Sequence, residues 1–186
     1  MAIVEKIILG IDPGTSIFGY GVISIKGKEL TLLSLGSVTV NKYDNHQLRL
    51  KYIFERVQYL VEEYKPDECA IEAPFYGKNV QSMLKLGRAQ GVSMAAVLTR
   101  DIPIVEYSPR KVKQAITGNG NSSKEQVAAM LKSICKFDKT PKNLDATDGL
   151  AVAVCHHFQT ANGINTSGKA KDWSSFIKNN PDRVKK

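Results

Sequence analysis

Four acidic residues of this chain stand where apolar segments end or begin. Asp12 closes the run IILGID and is followed by Pro-Gly, and Glu72 closes the run CAIE and is followed by Ala-Pro. Asp145 and Asp148 come directly before the nearly wholly apolar segment GLAVAVC. Carboxylate oxygens are the ligands that Mg²⁺ and Mn²⁺ prefer in proteins, so these four side chains are candidates to hold such an ion.

Each acid taken alone has a simpler structural role, but the combination is more specific. Asp-Pro-Gly is a common turn sequence, and the first turn of a helix favours an acid by ~0.3–1 kcal/mol. If the strands that end in Asp12 and Glu72 are neighbours, however, a helix with Asp145 and Asp148 in its first turn could bring all four acids together. Carboxylates ~4 Å apart repel by roughly 4 kcal/mol per pair at a surface-like dielectric, so we expect a cation among them. Two divalent ions ~3.5–4 Å apart are a standard device for in-line attack on a phosphodiester.

The glycines around Asp12 suggest a different chemistry, a phosphate cradle. The segment GIDPGT is similar to the first phosphate loop of the actin-like ATPases and sugar kinases, which use two such domains around a nucleotide. This chain has one copy, and it contains neither a Walker A sequence nor a dinucleotide-binding fingerprint. A nucleotide phosphotransferase is therefore a weaker alternative, which a rise in melting temperature with ATP would support.

The composition predicts one soluble domain with a tail. The chain has 186 residues, 42% of them apolar, and no apolar run approaches the ~18 residues that span a bilayer. Its three cysteines are far apart, and the N-terminus does not read as a signal peptide, so we expect free thiols, a cytoplasmic location and no membrane contact. A metal site at Cys155-His156-His157 is disfavoured, because adjacent helical side chains point apart.

The net charge of +8 suggests a polyanionic partner. Eight basic residues against two acids lie in the segment from 110 to 142: Arg110, Lys111, Lys113, Lys124, Lys132, Lys136, Lys139 and Lys142. A solvated helical face would give the same count, and that possibility stays open. If the charge is functional, nucleic acid is the polyanion it best suits.

The hydrophobic pattern predicts an α/β fold with a mixed five-stranded sheet and helices on both faces. Three antiparallel-type strands come first, at 3–12, 17–25 and 29–40, and two βα units follow, with strands at ECAIE and IPIVEYS. Helices are predicted at Asn45–Tyr64, Asn79–Thr99, from Pro109, at Ser123–Ile134 with a capping box of Ser122 and Glu125, and at Leu144–Thr160.

Two further features of the pattern concern packing and domain boundaries. The second predicted helix carries Gly87, Gly91 and Ala95 on one stripe, which could pack closely on the sheet or on a second copy of the chain. We expect one folded domain to cover 1–161, with a basic tail at 162–186. That tail reads as a linker followed by apolar residues, Trp173 among them, that suffice for one short docked helix.

Four ordered blocks resemble the RuvC family of Holliday junction resolvases: ILGIDPGTSIFGYGVI, AIEAPFYGKNVQSMLKLGRAQGV, RKVKQAITGNGNSSKEQV and DATDGLAVAVCHH. The resemblance runs from about Ile7 to Phe158. It implies a ribonuclease H-like fold, a homodimer, and an endonuclease that uses Mg²⁺ to cut four-way DNA junctions by paired nicks during recombination and repair, leaving 5′-phosphate ends. It also implies a junction-binding and branch-migration complex as a partner.

The resemblance assigns roles to particular positions. The matching residues are Asp12, Glu72, Asp145 and Asp148 for the acidic site, Phe75 with Tyr76 beside it for an aromatic loop, and Lys113 and Lys124 for contacts near the cleaved DNA. On this reading the four acids hold two Mg²⁺ ions, which Mn²⁺ could replace, and the lysines neutralise phosphate charge. Two alternatives remain: a ribonuclease H-like nuclease with another substrate, such as an RNA–DNA hybrid, and a junction-binding protein without catalysis.

Overall fold

The computed structural model describes residues 4–74, 79–137, 141 and 143–163, and a five-stranded sheet forms its centre. The strands are β1 Glu5–Asp12, β2 Ile17–Lys26, β3 Glu29–Thr39, β4 Glu68–Glu72 and β5 Ile104–Tyr107. Their spatial order is β3-β2-β1-β4-β5; β1, β2 and β3 pair antiparallel, whereas β4 and β5 run parallel to β1. The predicted mixed sheet is confirmed.

Five helices cover the two faces of this sheet. They are α1 His46–Tyr64, α2 Val80–Leu98, α3 Pro109–Thr117, α4 Lys124–Cys135 and α5 Asp145–Gly163. One apolar core joins α3, α4 and α5 to the sheet, and a second joins α1 and α2 to its other face. Helix α5 continues to Gly163, past the end predicted at Thr160 and past the predicted domain boundary at 161, and the rest of the tail lies outside the described residues.

The sequence misassigned the residues that begin α4. The structure places the capping box at Ser123 and Gln126, where each side chain bonds the other residue's backbone N–H, and not at Ser122 and Glu125. The Ser122 hydroxyl lies 2.8 Å from that of Thr117 instead. This one-residue shift makes Lys124 the first helical residue of α4, which fixes its backbone at the helix end beside the acids.

Helix α5 lies directly against the sheet backbone because glycines remove the side chains between them. A Cβ on Gly10 of β1 would lie 2.5 Å from the backbone nitrogen of Ala153, and a Cβ on Gly149 would lie 2.5 Å from that of Tyr20. Gly19 and Gly21 of β2 face the same helix at similarly short range. Any side chain at these positions would push α5, and the acids on its first turn, away from β1.

The stripe on α2 faces away from the body of the protein. A Cβ added at Gly87 or Gly91 would meet no atom within 4 Å, whereas Ala89, Ser93 and Ala96 form the buried side of the helix. The suggestion that this stripe packs on its own sheet is therefore wrong. Within the described ranges, no helix has the length and apolar character to cross a membrane.

Candidate active site

The register of two parallel strands brings Asp12 and Glu72 together. Ile11 of β1 lies beside Ile71 of β4, and each is followed by its acid at the carboxyl end of its strand. Both acids line one cavity of about 310 Å³, together with Asp148. The sequence-based expectation that these two strands are neighbours and end in adjacent carboxylates is thus what the structure shows.

The first turn of α5 supplies the other two acids. Asn143 caps the helix: its side-chain oxygen accepts from the backbone N–H of Asp145 at 3.1 Å, and its amide donates to Ser37 on β3 at 3.2 Å. Asp148 lines the cavity, whereas Asp145 stands at its edge and is not part of the lining. The two are joined through a lysine, because Lys124 Nζ lies 2.8 Å from Asp145 Oδ1 and 2.6 Å from Asp148 Oδ2.

The two strand-end acids lie in surroundings that disfavour their charge. Burial, with the neighbouring charge of Asp148, raises the pKa of Asp12 to about 7. Burial and then the charges of Asp12 and Asp148 raise the pKa of Glu72 to about 8. Lys124 opposes both shifts but does not cancel them. A carboxyl whose pKa is raised this far by burial and by neighbouring carboxylates marks a candidate functional site.

Lys124 already forms ion pairs with two of the four acids. Burial works to lower its pKa, but the hydrogen bonds to Asp145 and Asp148 outweigh that and raise the pKa above its ordinary value. Its side chain is 50% exposed, so it reaches the acids from the solvent side and has room to leave them. Lys113, on α3, lines the same cavity, and its positive charge offsets part of the rise in the pKa of Glu72.

The carboxylate oxygens of these acids suit a hard divalent cation, although they are not arranged as in a site that holds a metal ion. Among the described residues, no three His, Cys, Asp or Glu side chains are grouped so as to hold a metal ion. The contacts of Lys124 give a physical reason, since its ammonium occupies the oxygens that Asp145 and Asp148 would offer. Three carboxylates line the cavity and Lys124 holds a fourth beside them, and two of the four have raised pKa values. Such a set of carboxylates would nevertheless be stabilised by Mg²⁺ or Mn²⁺. The residues present therefore fit such an ion once Lys124 moves aside.

The predicted aromatic residues, Phe75 and Tyr76, lie outside the described residues. Ala73 and Pro74, which precede them in the chain, line the cavity. The sequence analysis did not identify the glycines that seat α5 or the ion pairs of Lys124. The glycine signal was present in Gly19-Tyr20-Gly21 and in Gly149 beside Asp148, but a glycine in a strand can equally mark a bulge or a bend.

A second polar network crosses the interior farther along α5. The Tyr107 hydroxyl lies 2.8 Å from His156 Nδ1, and His156 Nε2 lies 2.6 Å from Glu68 Oε2, which Lys6 Nζ also approaches to 2.6 Å. His156 is fully buried and bonded at both ring nitrogens. The prediction that Cys155-His156-His157 is not a metal site agrees with this arrangement, in which the histidine ties α5 to β4 and β5.

Comparisons with known proteins identify the family. The family model described as "Crossover junction endodeoxyribonuclease RuvC" matches residues 8–156. A protein of that name from Cytophaga hutchinsonii is 58% identical over 98% of this chain and 90% of its own length. One from Porphyromonas gingivalis is 56% identical over 97% of this chain and 98% of its own.

A solved structure gives the same answer at the level of the fold. Thermus thermophilus RuvC, in a complex described as containing a Holliday junction substrate, matches with a TM-score of 0.78 and 31% identity, over 85% of this chain and 96% of that one. The region matched by the family model contains both acidic strand ends and the first turn of α5. With fold, sequence and the placement of the acids in agreement, the chain belongs to the RuvC family of crossover junction endodeoxyribonucleases.

Proposed function

We propose that this chain is a metal-dependent endonuclease that resolves four-way DNA junctions by paired, symmetric nicks. One observation carries the assignment of the site: three carboxylates, from Asp12, Glu72 and Asp148, line a single cavity with Lys113 and Lys124 in a chain of this family. The Thermus relative's Holliday junction complex supports the choice of substrate. Recombination and DNA repair are the processes that such an activity serves.

The acids have the role of holding the metal and positioning the reacting phosphate. Asp12 and Glu72 are fixed by paired strands, so their carboxylates are held in place before substrate arrives. Asp145 and Asp148 are fixed by a capped helix that glycines seat against those strands. Two Mg²⁺ ions held by these residues, or Mn²⁺ in their place, would supply Lewis-acid activation of water and neutralisation of developing charge.

The two lysines would bind the negatively charged phosphates of the substrate. Lys113 lines the cavity beside Glu72, within reach of a phosphate drawn toward the acids. Lys124 gains freedom when Asp145 and Asp148 are taken up by a metal, and its ammonium then has phosphate oxygens as alternative partners. Both would stabilise the extra negative charge of the transition state and of the leaving 3′ oxygen. The products would carry 5′-phosphate and 3′-hydroxyl ends.

Symmetric nicks need two sites, and a homodimer related by a two-fold axis would supply them. The exposed face of α2 is the proposed interface: beside Gly87 and Gly91 it presents Val80, Leu84 and Leu98, whose exposed fractions are 63%, 51% and 54%.

Gly91→Leu tests this interface. The variant should yield folded monomers by analytical ultracentrifugation, because a Cβ at this position meets no other atom of the chain within 4 Å. Leu48→Ala, which alters an exposed leucine on α1, is the matched control and should remain dimeric. A Gly91→Leu protein that stays dimeric would exclude this interface.

The aromatic pair Phe75 and Tyr76 remains a proposal from the resemblance alone. A ring that stacks on exposed bases at the junction centre is worth ~1–3 kcal/mol per base. Phe75→Ala should therefore slow junction cleavage while leaving the melting temperature nearly unchanged. A large fall in melting temperature would instead indicate that Phe75 packs in the core.

The decisive test is cleavage of a synthetic junction with a fixed crossover. The protein is incubated with Mg²⁺ and the junction, each strand is labelled in turn, and the nicks are mapped. We expect cuts on two opposing strands at equal distances from the crossover, with ends that ligase can reseal. Linear duplex and RNA–DNA hybrid are the controls. Cleavage of the hybrid but not of the junction would favour another ribonuclease H-like activity, and binding without cleavage would indicate a junction-binding protein.

A further inference from the structure

Helices α1 and α2 run side by side in the same direction, with their N-terminal ends at the acidic edge of the sheet. Just past the end of α2, Arg100 Nε donates to Glu62, near the end of α1, at 2.7 Å. Asp67, which follows α1, bonds the backbone of Ile7 near the start of β1. The C-terminal ends of both helices therefore lie at the end of the sheet opposite to Asp12 and Glu72, and their N-terminal halves lie at the same end as those acids.

Five basic side chains gather at this end of the helix pair, and we call them the α1–α2 basic cluster: Lys42, His46, Arg49, Lys85 and Arg88. Three belong to the start of α1 and its preceding loop, and two belong to α2. Burial, and then the positive charges of Arg88, Lys85 and Arg49, lower the pKa of His46, which agrees with their lying close to one another across the two helices.

Two members of the cluster, Arg49 and Lys42, are held by contacts that do not neutralise their charge. Arg49 donates to the backbone oxygens of Tyr43 at 3.0 Å and Asn41 at 3.3 Å, and Lys42 Nζ stands 5.3 Å from the centre of the Tyr43 ring. Within the part of the chain that the structure describes, no residue of the cluster forms an ion pair with an acid, whereas Lys6, Lys51, Arg100 and Lys124 each do. Positive charge without an acidic partner, on a surface fixed by backbone contacts, attracts anions from solution.

The cluster lies at the same end of the sheet as the candidate active site, although Lys85 and Arg88 do not line its cavity. Leu86 of α2 lines the cavity beside Glu72 and Pro74, and the two basic side chains stand on a different, exposed side of the helix. Lys85 and Arg88 are exposed and three residues apart, so they share one side of α2. A polyanion that enters the cavity and continues past α2 would meet these two side chains next.

We propose that the α1–α2 basic cluster binds the phosphodiester backbone of the junction arm that leads away from the cut strand. The inference rests on the proposed function, because the cavity must take DNA for the neighbouring surface to meet an arm. Such contacts are independent of base sequence, and each releases condensed counterions. Arms long enough to reach the cluster would thus bind more tightly than short arms, and the cluster would set the direction in which an arm leaves the cavity.

The test compares Lys85→Gln/Arg88→Gln with Lys26→Gln/Lys28→Gln. The control pair lies at the other end of the sheet, where Lys26 is opposite Glu5 at the start of β1. Junction binding is measured without divalent metal at several salt concentrations, on long-armed junctions and on junctions whose arms stop just past the cut site. We expect the first variant to bind long arms on the order of tenfold more weakly, with a salt slope lower by about 0.9 for each lost phosphate contact. The control variant should match the wild type, and the difference between variants should shrink on short arms.

Two outcomes would overturn the proposal. One is a cluster variant whose affinity and salt slope on long arms equal those of the wild type. The other is a cluster variant that becomes monomeric in analytical ultracentrifugation, which would place Lys85 and Arg88 in a protein interface. Failure of the proposed function is distinguishable, because it shows as an absence of nicks by the wild type with Mg²⁺, whereas the arm effect is measured on binding without metal.

Discussion

Helix α5 carries two charged networks, and they are built in opposite ways. At its first turn, three carboxylates line a cavity and Asp145 stands beside it; among the described residues, only Lys124 forms ion pairs with any of the four acids, through Asp145 and Asp148. Farther along, Glu68 has Lys6 and His156 as partners, and His156 has Tyr107 at its other ring nitrogen. The pKa of Asp12 rises to about 7 in the first network. In the second, burial works to raise the pKa of Glu68, but the hydrogen bonds from Lys6 and His156 lower it.

The difference separates a network that stabilises the fold from one that awaits a ligand. We call Glu68, Lys6, His156 and Tyr107 the inner network. Each of its charged or polar groups has a partner within the chain, so removing one member leaves another buried and unpaired. We call the four acids with Lys124 the outer network. Its acids outnumber its cations, so the chain is stable there in spite of the charges and a divalent ion would balance them. Removing the charge of an acid from the outer network should therefore raise the free energy of unfolding, whereas removing a member of the inner network should lower it.

The largest expected effect is on catalysis, from Asp12→Asn. The substitution keeps the side chain's shape and removes a ligand oxygen charge, so cleavage should fall by at least about a hundredfold, since loss of metal-based charge stabilisation is worth several kcal/mol. Junction binding should persist or tighten, because repulsion of the phosphates is reduced. The melting temperature without metal should rise. Glu63→Gln, an exposed acid on α1, is the control and should leave all three unchanged. Cleavage by Asp12→Asn at near the wild-type rate would refute the role given to this acid.

Tyr107→Phe tests the inner network and should act on stability alone. Loss of the hydroxyl leaves His156 Nδ1 buried without its 2.8 Å partner, which costs about 1–3 kcal/mol. Urea unfolding should show this loss, with cleavage of the junction by the folded protein nearly unchanged. Tyr59→Phe removes the hydroxyl of an exposed tyrosine and should cost little. Equal effects of the two substitutions would mean that the inner network does not stabilise the fold.

Lys124→Met sharpens the comparison by removing the only cation in direct contact with the acids among the described residues. Because the ammonium and a metal ion compete for Asp145 and Asp148, the variant should bind Mg²⁺ about tenfold more tightly, equivalent to roughly 1.4 kcal/mol. Calorimetric titration measures this without reference to activity. Lys113→Met, which removes a cation of the same cavity, should give a smaller gain. Weaker Mg²⁺ binding by Lys124→Met would show that this lysine supports the metal site and does not compete for it.

The last prediction concerns pH. The pKa of Asp12 is raised from 3.8 to about 7, so the folded state binds more protons than the unfolded state between these values. Its contribution to stability is therefore fully present below about pH 4 and is lost as pH rises through about 7. Without metal, the free energy of unfolding of the wild type should fall relative to Asp12→Asn over this window, and Mg²⁺ should remove the difference. A difference between the two proteins that does not change with pH would contradict the raised pKa.

The sequence predicted the sheet because its strands have strong patterns. Continuous apolar runs end at Asp12 and Glu72, and parallel strands place their ends together, so these two acids could be assigned before the structure. The position of α5 could not, because it depends on the absence of side chains at Gly10 and Gly149, which meet only in the folded chain. The capping box moved by one residue because Ser122 and Ser123 are both good caps, and a contact with Thr117 decides between them.

The charges were harder to predict than the fold. The charge pattern presents Lys124 as one basic residue among eight, and the family resemblance assigns it to the DNA. Its ion pairs with Asp145 and Asp148 follow only from the start of α4 at this residue. The inner network joins residues as far apart as Lys6 and His156, whose pairing no local pattern indicates. Ion pairs between distant segments follow from the packing of α5. The sequence suggested only that the first turn of this helix could reach Asp12 and Glu72, and it did not indicate the register of the rest.

Calorimetric titration of Mg²⁺ into the wild-type protein and Asp12→Asn tests most directly the claim that the outer network is completed by metal. We expect the wild type to bind two ions per chain and to melt at a higher temperature in Mg²⁺. Asp12→Asn should bind less and show little change in melting temperature. A wild-type protein that binds no Mg²⁺, with a melting temperature the same in its presence and absence, would contradict the account.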